Sequence, residues 1–281
     1  MELLGGILVN AFSRNESLRN CLESIVDSNL NDDFPLIVVF QVGHSEVEKV
    51  IQQFRSSITL LVEVPGNYST PLENINMNRI LGYQIAFDHL KLDWLLGVEE
   101  DAVLSPDAIT FVKFTNEMYF HNFYFRGVNL GSFHPHKPEL YEQFGKIRFG
   151  LHGQAGSITR KTWDHFNLKK LIKNSKNIAL DAQMEFYLRT GFMATPIISR
   201  FVDTGWDGTH MPKDPEDQYF HRLRESFGPG VPKIDLKYKL TFQKPSWRED
   251  AKVFSPLKTP LDVLNIIKNR LINSIRKRFI I

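Results

Sequence analysis

Apolar and polar positions alternate between two patterns along the first 110 residues. Short runs in which nearly every residue is apolar predict buried strands at residues 7–12, 36–40, 58–64 and 94–98. Between and after them, apolar residues recur three and four positions apart, which predicts amphipathic helices, the longest at residues 74–90. This alternation favours an α/β fold with a mostly parallel sheet and helices on both faces.

Capping signals mark three of the predicted helix starts. Ser13 with Glu16, and Ser45 with Glu48, have the spacing of a capping box. Ser105 stands before Pro106 and Asp107, so we expect Ser105 to be the N-cap of the helix after the fourth strand, with Pro106 in its first position.

The pattern is less regular from residue 111 onward. An apolar stretch at residues 123–133 predicts a strand that leads into a loop, and the glycine-rich residues 149–158 predict a loop. Helices are expected at residues 160–172 and 181–190, and a late strand at residues 194–202.

The last residues, 261–281, predict a basic amphipathic helix. Its apolar positions are Leu264, Ile267, Leu271, Ile275 and Phe279. Such a helix suits peripheral attachment to an anionic membrane surface, and docking on its own domain or on a second subunit is an equal alternative.

Composition excludes several classes of protein. The formal net charge is only +2 and 42% of the residues are hydrophobic, which excludes a general nucleic-acid binder and a disordered chain. Cys21 is the single cysteine, so no intrachain disulfide and no cysteine-based zinc site can form. No signal peptide and no apolar run of about 20 residues is visible, so we expect a cytoplasmic protein. If the basic helix binds lipid, the protein would associate with the inner face of the membrane.

Three consecutive acids, Glu99, Glu100 and Asp101, follow the fourth strand. In parallel sheets, ligands bind at the carboxyl ends of the strands. Adjacent carboxylates repel one another unless a cation lies among them, and oxygen ligands suit Mn²⁺ or Mg²⁺. A metal site is therefore expected here, against the alternative of a solvated turn with ordinary surface acids.

The stretch "VEEDAVLSPDAITFV" resembles the Glu-Asp-Asp motif of GT-A-fold glycosyltransferases, in particular the N-acetylglucosaminyltransferase I and protein O-mannose N-acetylglucosaminyltransferase families. The resemblance implies a GT-A-like, Rossmann-like fold. It also implies that Asp101 binds Mn²⁺ or Mg²⁺, and that Glu99 and Glu100 lie beside the ribose and sugar hydroxyls of a nucleotide-sugar donor.

Two further segments carry the resemblance. Arg14, in "NAFSRNES", occupies the place of an arginine that reaches the donor diphosphate. Gln41 belongs to "VVFQVGHSEVEK", which is similar to the family segment at the nucleotide base, and His44 there is read as a turn residue at a helix start. Val42 stands nearest to the place of the aspartate that contacts uracil. This departure weakens the case for uracil. The resemblance as a whole still favours a UDP sugar, and the base is left open.

An inverting transferase needs a base to deprotonate the acceptor hydroxyl. Asp181, at a helix start, is favoured over Asp164 by its order and spacing in the resemblance, and its alternative role is that of an ordinary acid at a helix N-terminus. His210 is a candidate ligand for the metal or the diphosphate. His134 and His136 either pair on a metal or belong to a surface loop.

The resemblance divides the chain into residues 1–110, which bind the nucleotide sugar, residues 111–235, which bind the acceptor, and a tail at 236–281. It implies a bacterial-type, metal-dependent, inverting glycosyltransferase acting on a glycan or lipid-linked saccharide in polysaccharide biosynthesis. The alternatives are an inactive glycan-binding scaffold and a sugar nucleotidyltransferase. The latter usually has a glycine-rich phosphate loop after the first strand, where this chain has "NAFSRNES".

Overall fold

The computed structural model describes part of the chain. The described residues are 3–28, 34–131, 143–147, 154–196, 198–205 and 241–242. All of them belong to one compact unit, Met1–Lys244. The predicted amphipathic helix at residues 261–281 lies outside them. Among the described residues, no helix has the length and apolar content needed to cross a bilayer.

Strands and helices alternate along the first half, as the hydrophobic pattern predicts. The strands are β1 (Gly5–Ala11), β2 (Leu36–Gln41), β3 (Leu60–Val64), β4 (Trp94–Glu99), β5 (Ala102–Leu104), β6 (Phe125–Asn129), β7 (Gln143–Ile147), β8 (Ala155–Thr159), β9 (Phe192–Pro196), β10 (Phe201–Asp203) and β11 (Thr241–Phe242). The helices are α1 (Asn15–Ser28), α2 (Ser45–Gln53), α3 (Pro71–Gln84), α4 (Ala108–Tyr119), α5 (Arg160–Trp163), α6 (Leu168–Asn174) and α7 (Leu180–Leu188). A short π-helical segment, Ile85–His89, continues α3.

The large sheet has the strand order β11-β7-β9-β6-β8-β4-β1-β2-β3. Strands β3, β2, β1 and β4 are parallel, so their carboxyl ends share one edge. Strand β8 lies antiparallel between β4 and β6, and it pairs Thr159 with Trp94 at the start of β4. Whatever follows β8 therefore lies at the edge opposite the acids.

Helices cover both faces of the sheet. Strand β1 shows this, since its alternate side chains point to opposite faces and meet different helices. Ile7 and Val9 belong to the buried cluster that includes the apolar faces of α1, α2 and α4. Leu8 meets α3 at Gly82, where an added Cβ would come within 2.6 Å of the leucine Cδ atoms. The glycine thus lets α3 lie close against the sheet.

Helix α3 starts earlier than its apolar pattern predicts. Thr70 is its N-cap: the Thr70 hydroxyl oxygen accepts a hydrogen bond from the Glu73 N–H at 3.1 Å, and Pro71 holds the first helical position. This cap adds residues 71–73 to the expected helix.

The predicted start of α4 is wrong by about two residues. The Ser105 hydroxyl donates to Asp107 Oδ1 at 2.6 Å and does not cap a backbone amide. Asp107 occupies the N-cap position, without a capping hydrogen bond from its side chain, and the helix begins at Ala108.

The second half departs further from the predictions. Residues 155–159 form the buried strand β8, although the small residues there, such as Gly156 and Ser157, favour a loop in the sequence. The expected helix at 160–172 is divided into α5 and α6, and Asn167 caps the second of these. The late strand is likewise divided into β9 and β10. Within the predicted tail, Thr241–Phe242 pairs with β7.

Strands β5 and β10 form a separate antiparallel ribbon, with Asp203 opposite Ala102. Beyond the ribbon, the Thr204 N–H and hydroxyl both donate to the Asp101 carbonyl oxygen at 2.8 Å. The ribbon therefore holds the turn that carries the last acid of the triplet.

Candidate active site

The three acids lie in the wall of a cavity at the carboxyl ends of β1 and β4. Glu99 ends β4, and Glu100 and Asp101 form the turn before β5. The loop after β1 and one face of α3 complete the lining. The cavity measures about 240 Å³, a volume that admits part of a small-molecule ligand.

Asp101 forms an ion pair with Arg14 across this cavity. Arg14 Nη1 lies 2.6 Å from Asp101 Oδ2. Asp101 Oδ1 is buried and has no hydrogen-bond partner among the described residues. Burial of the carboxyl group and the charge of Asp203 raise the pKa of Asp101, and the Arg14 guanidinium opposes the rise. One carboxylate oxygen of Asp101 is therefore paired with Arg14, and the other has no hydrogen-bond partner in the described part of the chain.

Glu100 holds the loop after β1. Its carboxylate oxygens accept hydrogen bonds from the Phe12 N–H at 2.5 Å and from the Ser13 N–H at 3.4 Å. Burial raises the pKa of Glu100, and these two hydrogen bonds oppose the rise. Contact of Glu100 with a sugar or ribose stays a prediction; in this structure the side chain positions the loop that presents Arg14.

Glu99 faces Arg79 on α3, with Arg79 Nη1 3.4 Å from Glu99 Oε1. Burial raises the pKa of Glu99 to about 7, the charges of Asp101, Asp181 and Asp203 add to the rise, and the charge of Arg79 opposes it. Four carboxylates and a buried arginine therefore share one electrostatic environment.

The two candidates for the base lie in different places. Asp181 is the second residue of α7 and interacts electrostatically with both Arg79 and Glu99. Asp164 is exposed at the end of α5, directly after β8. Because β8 ends opposite the start of β4, Asp164 lies at the far edge of the sheet from the acids. The geometry favours Asp181, and its role as a base stays a prediction.

Gln41 does not line the cavity. Its Nε2 donates to the Gly66 carbonyl oxygen at 3.5 Å, while its Oε1 is buried without a partner in the described part of the chain. His44 stands before α2 and packs against Phe12, with ring centroids 5.5 Å apart. A nucleotide contact by Gln41 stays a prediction.

Asp203 and Gly205 belong to the site, and the sequence interpretation missed both. Gln154 Nε2 donates a short hydrogen bond to Asp203 Oδ2, and the Gly205 N–H donates to Asp203 Oδ1 at 2.7 Å. A Cβ on Gly205 would lie 2.1 Å from Asp101 Oδ2. Only glycine fits beside the Arg14–Asp101 pair. The signal in the sequence was the acid that directly follows the predicted late strand.

Arg79 was also missed, although the sequence contains a signal. Arg79, Ile80, Tyr83 and Phe87 recur at helical spacing, and Asn76 lies one turn earlier on the same stripe. All five are buried. A charged and an amide side chain on an apolar stripe need partners inside the protein, which is a mark of a polar site.

Several predicted residues lie outside the described ranges. They are His134, His136 and His210. Among the residues that are described, no group of three or more His, Cys, Asp or Glu side chains could form a metal cage. Asp101 Oδ1 nevertheless fits a hard cation, because Mg²⁺ and similar ions are usually held by one or two carboxylates, with waters and phosphates completing the shell.

Comparison with solved structures confirms the predicted GT-A-like α/β fold. Over 79% of this chain, the mannosyltransferase PcManGT from Pyrobaculum calidifontis, solved with GDP-Man and Mn²⁺, is similar with a TM-score of 0.51 and 12% identity. TarS from S. aureus is similar over 72% of this chain, with a TM-score of 0.51 and 8% identity. The matches span 61% of the mannosyltransferase chain and 37% of TarS. No protein-family model and no curated protein matches the sequence.

Proposed function

We propose that this protein is a divalent-metal-dependent glycosyltransferase that moves a sugar from a nucleotide-sugar donor to a glycan or lipid-linked saccharide. The observation that carries the proposal is the Arg14–Asp101 pair, with its unused carboxylate oxygen, in the cavity at the carboxyl end of β4. A metal-bound nucleoside diphosphate needs both a carboxylate for the cation and a guanidinium for phosphate oxygens.

Asp101 would hold Mn²⁺ or Mg²⁺ through Oδ1, and His210 stays a second candidate ligand. When bound, the ion supplies Lewis-acid stabilisation of the charge on the leaving diphosphate. The mannosyltransferase of the same fold, solved with GDP-Man and Mn²⁺, supports this assignment. Asp203 adds negative charge near Asp101, which strengthens the attraction for a cation.

Arg14 would exchange its partner when the donor binds. In the structure Arg14 neutralises Asp101, with which it forms a 2.6 Å contact. With a cation held by Asp101, the planar guanidinium of Arg14 would be available to bind the phosphate oxygens. The hydrogen bonds of Glu100 to the loop after β1 keep Arg14 within reach of both partners.

Asp181 would act as the base of an inverting transfer. The acceptor hydroxyl oxygen forms a bond to the anomeric carbon while the bond from that carbon to the phosphate oxygen breaks. The proton of the acceptor hydroxyl passes to the Asp181 carboxylate, and the electron pair of the broken bond stays on the diphosphate. Arg79, which interacts electrostatically with Asp181, lies on the helix beside it.

The donor is proposed to be a UDP sugar, by resemblance to the N-acetylglucosaminyltransferase families. Asn78 and Asn10 line the cavity, and their side-chain oxygens are buried without partners in the described part of the chain. Unpartnered acceptors of this kind favour a ligand that donates hydrogen bonds, as ribose and sugar hydroxyls do. A GDP sugar remains the alternative for the test.

The proposal is tested by calorimetry and by turnover. UDP and GDP are titrated with and without Mn²⁺, and release of nucleoside diphosphate from UDP-GlcNAc, UDP-glucose and GDP-mannose is followed. Asp101→Asn should abolish the Mn²⁺-dependent part of binding. Asp181→Asn should leave binding intact and slow turnover by about 10²–10⁴-fold, whereas Asp164→Asn, at the opposite edge, should change neither.

Other outcomes point to other functions. Binding of a nucleotide without Mn²⁺ dependence and without turnover would indicate the inactive scaffold. Formation of pyrophosphate from a nucleoside triphosphate and a sugar phosphate would indicate a nucleotidyltransferase. Either result would refute the glycosyltransferase proposal.

A further inference from the structure

Asn76 ties α3 to the segment that leads into α7. Its Nδ2 donates to the carbonyl oxygens of Ser175 at 2.7 Å and Ile178 at 3.0 Å, and its Oδ1 accepts a hydrogen bond from the Leu180 N–H at 2.9 Å. The residue is 1% exposed. Both polar atoms of this side chain are thus used on a segment about 100 residues further along the chain.

The hydrogen bond to Leu180 performs the work of a helix cap. The first N–H groups of a helix have no partner within it and need acceptors elsewhere. Ala179 occupies the N-cap position of α7 and has no polar side chain to supply one. Asn76 Oδ1 supplies it from another helix, and the residue held in this way immediately precedes Asp181.

The same helix contacts the other side of the site. Arg79, one turn after Asn76, faces Glu99 at 3.4 Å, and Asp181 interacts electrostatically with both. Helix α3 is therefore a rigid link: Asn76 fixes the backbone beside Asp181, and Arg79 contacts the acid at the end of β4.

We propose that Asn76 is a positioning residue that sets the place of Asp181 relative to the donor site. This inference rests on the proposed function, in which Asp181 is the base. A base must lie within hydrogen-bond reach of the hydroxyl it deprotonates, and a displacement of about 1 Å can cost about 10²-fold in rate. Asparagine is suited to the position because a single side chain both accepts from Leu180 and donates to the two carbonyl groups.

Asn74 on the same helix provides a matched control. It is also buried, but its side chain accepts from the Tyr68 N–H and donates to the Thr70 carbonyl oxygen, both at the start of α3. Asn74→Ala removes two buried hydrogen bonds, against three in Asn76→Ala, without touching α7.

The first measurement is hydrogen exchange by mass spectrometry on the full chain. Asn76→Ala should accelerate exchange in the peptide covering residues 175–188 by about 10-fold or more. Asn74→Ala should leave that peptide unchanged. Equal exchange in all three proteins would overturn the inference, whether or not the protein has transferase activity.

The second measurement is a double-mutant cycle. Asn76→Ala should leave Mn²⁺-dependent UDP binding within about twofold and slow sugar-nucleotide turnover by about 10²-fold. In an Asp181→Asn background it should have no further effect, because residues that act as one unit are not additive. An equal loss in both backgrounds, or the same loss in Asn74→Ala, would show a merely structural role and reject the proposal.

If Asn76→Ala does not fold, Asn76→Asp replaces it: the carboxylate still accepts from Leu180 but cannot donate to the two carbonyl groups, so the same direction of change is expected. A wild-type protein that turns over no sugar nucleotide refutes the proposed function and the catalytic part of this inference together. Hydrogen exchange then decides alone whether Asn76 holds α7.

Discussion

Arg200 and Asp107 form an ion pair in the interior of the protein, with Arg200 Nε 2.9 Å from Asp107 Oδ2 and both side chains at most 1% exposed. The pair joins the residue before β10 to the start of α4. Arg200 Nη1 also donates to the Ile198 carbonyl oxygen at 2.8 Å, and its guanidinium lies over the Phe111 ring. The ribbon that carries Asp203 to the site is therefore anchored by a buried charge.

We predict that Asp107→Asn destabilises the fold by about 3–5 kcal/mol, because it removes the charge of the carboxylate that lies 2.9 Å from the buried Arg200 guanidinium. Urea denaturation measures the change. Glu46→Gln is the control, since the Glu46–Lys49 pair is exposed and its loss should cost at most about 1 kcal/mol. Similar losses in the two variants would contradict the importance of the buried pair.

Gly205→Ala should impair the site. Its added Cβ would lie 2.1 Å from Asp101 Oδ2 and 2.6 Å from Arg14 Nη1, so the ion pair must move. We expect Mn²⁺-dependent UDP binding, measured by calorimetry, to weaken by about 10-fold or more. Gly43→Ala separates crowding from general destabilisation: its φ of 97° strains alanine by about 1–2 kcal/mol, but nothing lies within 4 Å of the new Cβ. Unchanged binding in Gly205→Ala would place the cation elsewhere.

The metal-free protein should lose stability from Glu99 as the pH rises from about 4.5 to about 7. Burial raises the pKa of Glu99 from 4.5 to about 7, so within this window the folded chain keeps a proton that the unfolded chain has released. Stability falls with rising pH wherever the folded state binds more protons. Denaturation in EDTA across this range measures the slope, which Glu99→Gln should make less negative and Glu46→Gln should not alter. A Glu99→Gln slope identical to that of the wild type would refute the shift.

Cys21 should resist thiol reagents in the native protein. It is fully buried on α1, and burial, with the charges of Asp101 and Glu100, raises the pKa of its thiol and keeps it protonated. Labelling with a chromogenic disulfide should therefore proceed only as fast as the chain unfolds, and should become rapid in urea. Ser56→Cys adds an exposed thiol that should react at once. Fast labelling of the wild-type protein would show that α1 opens readily.

Much of the first half could be predicted because its signals are local. The apolar runs of β1, β2, β3 and β4 identify the parallel strands, and the acids after β4 fall at the edge where parallel sheets bind ligands. The preference for Asp181 over Asp164 as the base came from order and spacing in the resemblance and stays a prediction, while the direction of β8 puts Asp164 at the edge opposite the acids.

The helix starts show where local signals compete. Ser105 had the sequence signature of an N-cap, but its hydroxyl donates to Asp107, whose other carboxylate oxygen is used by Arg200. The hydrogen bond between Arg200 and Asp107, which are 93 positions apart, thus prevails over the local preference for Ser105 as the N-cap. Thr70, which does cap α3, has no such competing partner in its described contacts.

The sequence by itself determined the α/β class, the parallel strands of the first half and the place of the acid triplet. Apolar periodicity and strand ends depend on residues that are close together along the chain. Only the tertiary structure decided that β8 runs antiparallel between β4 and β6, that Gly205 lies against Asp101, and that Asn76 holds Leu180. Each of these joins segments dozens to more than 100 residues apart, and their hydrogen bonds and close contacts depend on how the whole chain packs.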